Sequence, residues 1–476
     1  MFNSRSVTLA ALFLSLGLEV SAAHAQGPVP SSTRSTYTLP SDSAVFSILK
    51  QRVDEKRSAG IVVGLLDPDG RTRVIAYGDA GPGQPPLDGT SVFEIGSISK
   101  VFTATVLARL VQDGRVTLDD PIQKYLPASV HIPSRNGKQI TLGNLSEQNS
   151  GLPRMPTNFH PKDPTNPYAD YSVQQMYEFL SSYELQRDPG AQFEYSNLGV
   201  GLLGHVLSLI VGKSYEDMER ESVWQPLGMT HTGIPLTPWM KEHMALGHDE
   251  QGTVVPQWDL LALAGAGAIR STTSDMLKFL DANLHPERGA LQRAMDFAHH
   301  EREPAGGPNM AIGLNWLTRR AGTDTIVWHN GGTGGYRTFI GFEPSKHFGV
   351  VVLTNSGGAG ADDIGMHLLD PSLPLAPKPQ PIKQRTAIEL PASAMAQYVG
   401  VYQLAASFSL DVTLAGSILS VEPTGQPKLR LYPETETDFF LKEVDAQFNF
   451  TRDPQGVVTG LVLHQNGATL PAKKVK

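Results

Sequence analysis

Five prolines fall within eleven residues: Pro371, Pro374, Pro377, Pro379 and Pro381. Proline fixes φ and lacks a backbone N–H, so a run this dense makes a semi-rigid spacer rather than a helix or a central strand. The 476-residue chain must therefore divide there. The expected organisation is a main domain over 42–365, a Pro-rich linker over 366–388 and a small all-β domain over 389–476. Each part is large enough for its own core.

The periodicity on either side is informative. Ala44 to Lys56 has helical spacing of apolar residues. Gly60 to Leu66 and Arg73 to Tyr77 are strand-like, joined by the turn Asp67-Pro68-Asp69-Gly70. From Lys100 to about Leu280 the pattern is mostly helical. Strand-like runs return at Thr325–Trp328, Tyr336–Phe342 and Phe348–Leu353. Strands at both ends of a helical middle predict an α+β fold: an antiparallel sheet flanked by helices, with a largely helical second lobe. Beyond the linker, Phe408–Leu414, Phe439–Val444, Phe448–Thr451 and Val457–Leu463 predict short strands.

Composition narrows the function. There is no cysteine, which removes disulfides, thiolate metal sites and a cysteine nucleophile. The formal net charge is −8 without blocks of like charge, so nothing points to nucleic acid. Arg5, the apolar stretch Leu9–Leu18 and the small residues of Ala23-His24-Ala25 read as a signal peptide over 1–25, cleaved near Ala25. A flexible leader follows over 26–41. No other stretch is long and apolar enough to span a membrane. The expected location is periplasmic or secreted.

Three segments carry chemistry. Ser97-Ile98-Ser99-Lys100 opens a helical pattern and places Ser97 and Lys100 one turn apart on one face. A serine hydroxyl needs a base beside it, and a lysine can serve once burial or a neighbouring cation lowers its pKa. Tyr195-Ser196-Asn197 precedes an apolar helix; a tyrosine there can relay a proton and an asparagine amide can bind a carbonyl. His329-Asn330-Gly331 ends a strand and leads into Gly332-Thr333-Gly334-Gly335. Glycine lets a substrate backbone lie against a strand edge. The Gly332 N–H can join that of Ser97 as an oxyanion hole.

Together these elements resemble the serine β-lactamase and penicillin-binding superfamily, in its class C-type branch. The segment from Phe93 to Thr103 is similar to that branch's nucleophile region, Glu194–Asn197 to its tyrosine motif, and His329–Asn355 to its final strands. The motifs stand 98 and then 134 residues apart by subtraction, over a resemblance spanning 42–358. The resemblance implies Ser97 as nucleophile, with Lys100 and Tyr195 sharing the acid–base work. It implies Asn197, His329, Asn330 and Gly331 as substrate-binding residues, and neither metal nor organic cofactor. It implies an exported serine hydrolase acting on D-amino-acid-containing peptides or cell-wall fragments, with β-lactam reactivity. A class C-like β-lactamase, an esterase and a non-turnover penicillin-binding sensor or peptidoglycan-binding protein remain alternatives. Oligomeric state is left open.

Two departures from the family pattern stand out. His329-Asn330 occupies the place of Lys and a hydroxyl residue in class C β-lactamases; His there is more typical of DD-peptidases and D-aminopeptidases. Glu147-Gln148-Asn149-Ser150-Gly151-Leu152 replaces a run that often reads His-Thr-Ser-Gly-Leu. Arg337, on the next strand, is a supplementary candidate for carboxylate binding. Ser47-Ile48-Leu49-Lys50 and His231-Thr232-Gly233 match motif fragments without the right surroundings. Gly212-Lys213-Ser214 lacks the upstream glycine of a phosphate loop.

Overall fold

The computed structural model describes residues 39–476 except 322–323, 359, 379–384, 406–407, 425–427, 443–444 and 466–467. The expected signal peptide, most of the leader, and Pro379 and Pro381 lie outside the described residues. The chain forms two compact units, one ending at Ala376 and the other running Pro377–Lys476.

In the first unit, helix α1 (Asp42–Asp54) is capped by Ser41, whose side chain accepts the Ala44 N–H. Two strands follow, β1 (Gly60–Leu66) and β2 (Thr72–Gly78). The sheet is completed from the far end of the unit by β3 (Glu303–Pro304), β4 (Met310–Ile312), β5 (Leu317–Ala321), β6 (Asp324–Gly332), β7 (Arg337–Glu343) and β8 (Phe348–Thr354). The strand order is β2-β1-β8-β7-β6-β5-β4-β3. All the pairings are antiparallel. The three short strands β3 to β5 are absent from the sequence reading. Each is too short, or too charged, to show a period-2 pattern.

β1 is buried along its whole length because both sheet faces are covered. Ile61, Val63 and Leu65 pack with Val45 and Leu49 of α1 and with Ile364 and Leu368 of a late helix. Val62 and Leu66 point the other way, into a large cluster that includes Phe102, Leu198, Leu202 and Phe279 from the helical lobe. That lobe includes α2 (Ser99–Gln112), α3 (Asn197–Val211) and α4 (Thr273–Asn283). The late helix is α5 (Asp362–Leu369). It runs through residues assigned from sequence to the linker, and Leu368 and Leu369 are buried. The proline run hid the helix, because its apolar face ends immediately before Pro371.

The second unit holds, among the described residues, a nine-stranded antiparallel sheet. Its core includes Tyr398, Tyr402, Phe439, Phe448, Phe450 and Leu461. The expected strands occur as Phe408–Ala415, Asp438–Phe440, Ala446–Arg452 and Val458–Gln465. Residues 443–444 lie outside the described residues. Gly400–Ala405 and Ile418–Pro423 add strands, and Ala468–Lys474 pairs with the first of these.

Candidate active site

Ser97 lies on a 3-10 turn, Gly96–Ile98, that runs directly into α2. Gly96 has φ 52°, a left-handed conformation that favours glycine. A Cβ on Gly96 would lie 2.6 Å from the Gly332 nitrogen, so the missing side chain lets β6 press against the nucleophile turn. Gly331 makes the matching approach, since a Cβ there would collide with the Ile95 carbonyl and Thr338 Oγ1. Thr338 Oγ1 donates to that carbonyl at 2.8 Å and fastens β7 to the turn. Gly331 thus acts by close packing, and the Gly332 backbone nitrogen is brought against Gly96, the residue before Ser97.

Lys100 is fully buried. Its Nζ lies 2.9 Å from Ser97 Oγ, 2.9 Å from Asn197 Oδ1 and 2.6 Å from the Ala266 carbonyl. Burial, then the charge of Arg154, holds its pKa well below the ordinary lysine value. In the neutral form the amine has two N–H groups and one lone pair. The amide and backbone oxygens accept the two N–H bonds, so the lone pair is left for the Ser97 hydroxyl. Among the described residues no carboxylate is hydrogen-bonded to Nζ, so an ammonium here would be a buried charge without a carboxylate partner.

Tyr195 and Asn197 flank Ser196, which caps α3 by accepting the Gly199 N–H at 2.8 Å and donates to the Pro153 carbonyl at 2.7 Å. This cap turns the chain so that both neighbours face Lys100. The Lys100 amine lies 4.8 Å from the Tyr195 ring centroid. Burial pushes the pKa of the phenol up to about 12, with Arg154 and Ser97 pulling the other way. At neutral pH it is therefore a phenol and can donate as well as accept.

On β6, Val327, His329 and Gly331 share one face. Trp328 and Asn330 take the opposite one. His329 reaches the site, with its ring 6.4 Å from that of Tyr195. Burial, then Lys100, lowers its pKa to about 3, so it is neutral. Nδ1 lies 2.6 Å from the Asn330 carbonyl, which only accepts; Nδ1 must carry the proton and Nε2 the lone pair. Asn330 departs from expectation: its Nδ2 donates to Asp362 Oδ2 of α5 at 2.5 Å, on the far face of the sheet. The period of a strand is the reason, because adjacent residues cannot both face one cleft. Arg337 Nη1 donates to the Thr333 and Tyr336 carbonyls at 2.7 and 2.9 Å, closing the β6–β7 turn. β6 pairs with β5 only as far as Trp328, so among the described residues His329 to Gly332 form an open strand edge.

Three contributors were not singled out from sequence. The Ala266 carbonyl comes from the short helix Ala264–Gly267, brought close by glycine: a Cβ on Gly265 would lie 2.9 Å from the Val200 carbonyl. Tyr168 is half-buried beside Asn197, the Met155 sulfur lying 3.9 Å from its hydroxyl and from Asn197 Nδ2. Arg154 places its guanidinium carbon 5.0 Å from the Tyr195 ring centroid. Its only sequence signal is a charge following Gly151-Leu152-Pro153. The look-alike motifs fall elsewhere: Ser47 Oγ donates to the Ser43 carbonyl, His231 stacks on Trp239 at 3.7 Å, and Ser214 caps a short helix.

Fold and site define the class, a serine hydrolase whose centre lies between an antiparallel sheet and a helical lobe. Residues 45–370 match the family model described as Beta-lactamase. Residues 384–473 match a domain of unknown function, DUF3471. The chain is 32% identical over 312 residues to the D-alanyl-D-alanine-carboxypeptidase/endopeptidase AmpH of Escherichia coli, covering 62% of this chain and 79% of that one. It is 28% identical to a beta-lactamase of Pseudomonas fluorescens, covering 67% and 95%. A crystal structure of a beta-lactamase/D-alanine carboxypeptidase from Pseudomonas syringae superposes with a TM-score of 0.61 at 19% identity, over 69% of this chain and 98% of that one. The chain belongs to the beta-lactamase family.

Proposed function

We propose that this chain is an exported serine hydrolase that works through an acyl-enzyme on Ser97, on D-amino-acid-containing peptides or cell-wall fragments, in the manner of a DD-carboxypeptidase or endopeptidase. It also reacts with β-lactams. The observation that carries the reading is the Lys100 amine: buried, with its pKa held well below the ordinary lysine value, within 2.9 Å of two oxygen acceptors and 2.9 Å from Ser97 Oγ. Lys100 takes the serine proton as Oγ attacks the carbonyl carbon. The N–H groups of Ser97 and Gly332 receive the oxygen that gains charge. The proton returns through Lys100 and the Tyr195 phenol to the leaving nitrogen as its bond to carbon breaks. Water then attacks the ester, gives its proton to the same pair and releases Ser97 and the acid. Asn197 orients both Lys100 and the bound amide, and His329 lines the open edge.

The name of AmpH supports the peptide substrate class. The apolar segment Leu9–Leu18 followed by Ala23-His24-Ala25 supports export. The Pseudomonas fluorescens relative supports a second reading, a β-lactamase that deacylates rapidly. Labelling with a fluorescent penicillin, in wild type and Ser97→Ala, separates these. A stable label on Ser97 supports a peptidase or a sensor, and rapid loss of label supports a β-lactamase. No label with cleavage of short p-nitrophenyl esters supports an esterase. Release of D-alanine from a pentapeptide distinguishes the peptidase from the sensor.

A further inference from the structure

The site offers few groups to hold an anion. Lys100 is buried and its N–H bonds are directed at Asn197 Oδ1 and the Ala266 carbonyl. His329 is neutral. The Asn330 amide is committed to Asp362, and Arg337 is tied to two turn carbonyls. Arg154 differs from all of these. It is exposed, and its guanidinium lies over the Tyr195 ring. Among the described residues no carboxylate pairs with it. Its backbone is fixed, because its carbonyl accepts the N–H groups of Asn197 and Leu198 at 3.1 and 3.2 Å. The next residue, Met155, brings its sulfur to 3.9 Å from both Asn197 Nδ2 and the Tyr168 hydroxyl.

We propose that Arg154 is the anion-recognition residue of this site, taking a carboxylate that the substrate carries near its scissile carbonyl. A guanidinium resting on an aromatic face presents a fork of N–H groups matched to a carboxylate. Its guanidinium carbon is 5.0 Å from the ring centroid of Tyr195, and its charge is felt at Lys100, 2.9 Å from Ser97 Oγ. The proposal rests on Ser97 being the nucleophile.

The test compares wild type, Arg154→Ala, Arg154→Lys and Arg154→Glu on two matched ester pairs. One pair carries the carboxylate in the acyl group: mono-p-nitrophenyl glutarate against p-nitrophenyl butyrate. The other carries it in the leaving group: 3-acetoxybenzoate against phenyl acetate. The readout is the ratio of kcat/KM, anionic over neutral, which cancels any common effect through Lys100. Arg154→Ala should lower that ratio about 10- to 100-fold in at least one pair, the scale of a charged hydrogen bond. Arg154→Lys should restore part of it, and Arg154→Glu should lower it further. The pair that responds identifies the side on which the carboxylate binds. Ratios unchanged in both pairs and all three variants would overturn the proposal. Turnover retained by Ser97→Ala would instead overturn the underlying nucleophile reading, whatever the ratios.

Discussion

Gln148 Oε1 accepts the backbone N–H of Ser196 at 2.7 Å. The same side chain donates from Nε2 to Asn315 Oδ1 at 2.9 Å, and the Gln148 carbonyl accepts the Glu194 N–H at 2.6 Å. Tyr195 is thereby clamped on both sides. This accounts for glutamine in the run Glu147–Leu152: the buried position needs a donor and an acceptor at once, and an amide supplies both.

Gln148→Ala should therefore damage both stability and rate. It leaves a buried N–H and a buried amide oxygen without partners, a cost of about 1–3 kcal/mol each. A displaced Tyr195 should lower kcat by up to about 100-fold. Chemical denaturation and steady-state kinetics check the two effects. Unchanged kcat in a folded variant would show that Tyr195 is held by other contacts.

Gly331→Ala should be more severe than a typical glycine substitution. The added methyl group meets the Ile95 carbonyl and Thr338 Oγ1, so β6 must retreat from the Ser97 turn. That movement takes the Gly332 N–H away from the oxyanion, and loss of one such donor costs about 10²- to 10³-fold in kcat. Ester hydrolysis measures it. Full activity would mean that the second oxyanion donor lies elsewhere.

The pH profile should report Lys100. Its free amine is the active form, so kcat/KM should rise with pH through its depressed pKa. Arg154 lowers that pKa, and removing its charge lets the pKa climb. Arg154→Ala should thus shift the acidic limb to higher pH, measured with a neutral ester. Lysine burial also fixes a stability sign. The unfolded chain binds the extra proton below about 10.4. Wild-type stability relative to Lys100→Met should therefore rise with pH up to that value, by at most about 1.4 kcal/mol per unit. A pH-independent difference would mean that Lys100 is charged in the folded protein.

Asp362 gives the opposite sign. Burial pushes its carboxyl up to about 6, from an ordinary value near 3.8. Its stabilising contribution is complete below the ordinary value and is lost as pH rises through about 6. Asp362→Asn should consequently be more stable relative to wild type at pH 7 than at pH 4, by thermal melting. Asn330→Ala should disturb this pair and leave KM for neutral esters far less affected than His329→Ala does. Equal effects on KM would restore Asn330 to the cleft.

The parts of the site that were legible are those where chemistry sits in short segments. Ser97 and Lys100 share one helix face, and Tyr195 and Asn197 flank a helix cap. The strand Thr325–Trp328 led directly to His329. What escaped depends on distant packing. The period of β6 sends Asn330 to α5, and only the assembled sheet shows α5 there. Arg154 comes to Tyr195 because its carbonyl anchors the start of α3, a contact between separate segments. Strands β3 to β5 are held by their neighbours rather than by their own residue pattern. α5 was masked by the prolines that follow it.

The proposed reaction turns on a covalent bond between Ser97 Oγ and the substrate acyl group. Acid-quenched mass spectrometry, after millisecond mixing with penicillin or with a p-nitrophenyl ester, tests it directly. One acyl adduct is expected on the peptide containing Ser97, and none in Ser97→Ala. An adduct on another residue, or undiminished turnover by Ser97→Ala, would contradict it.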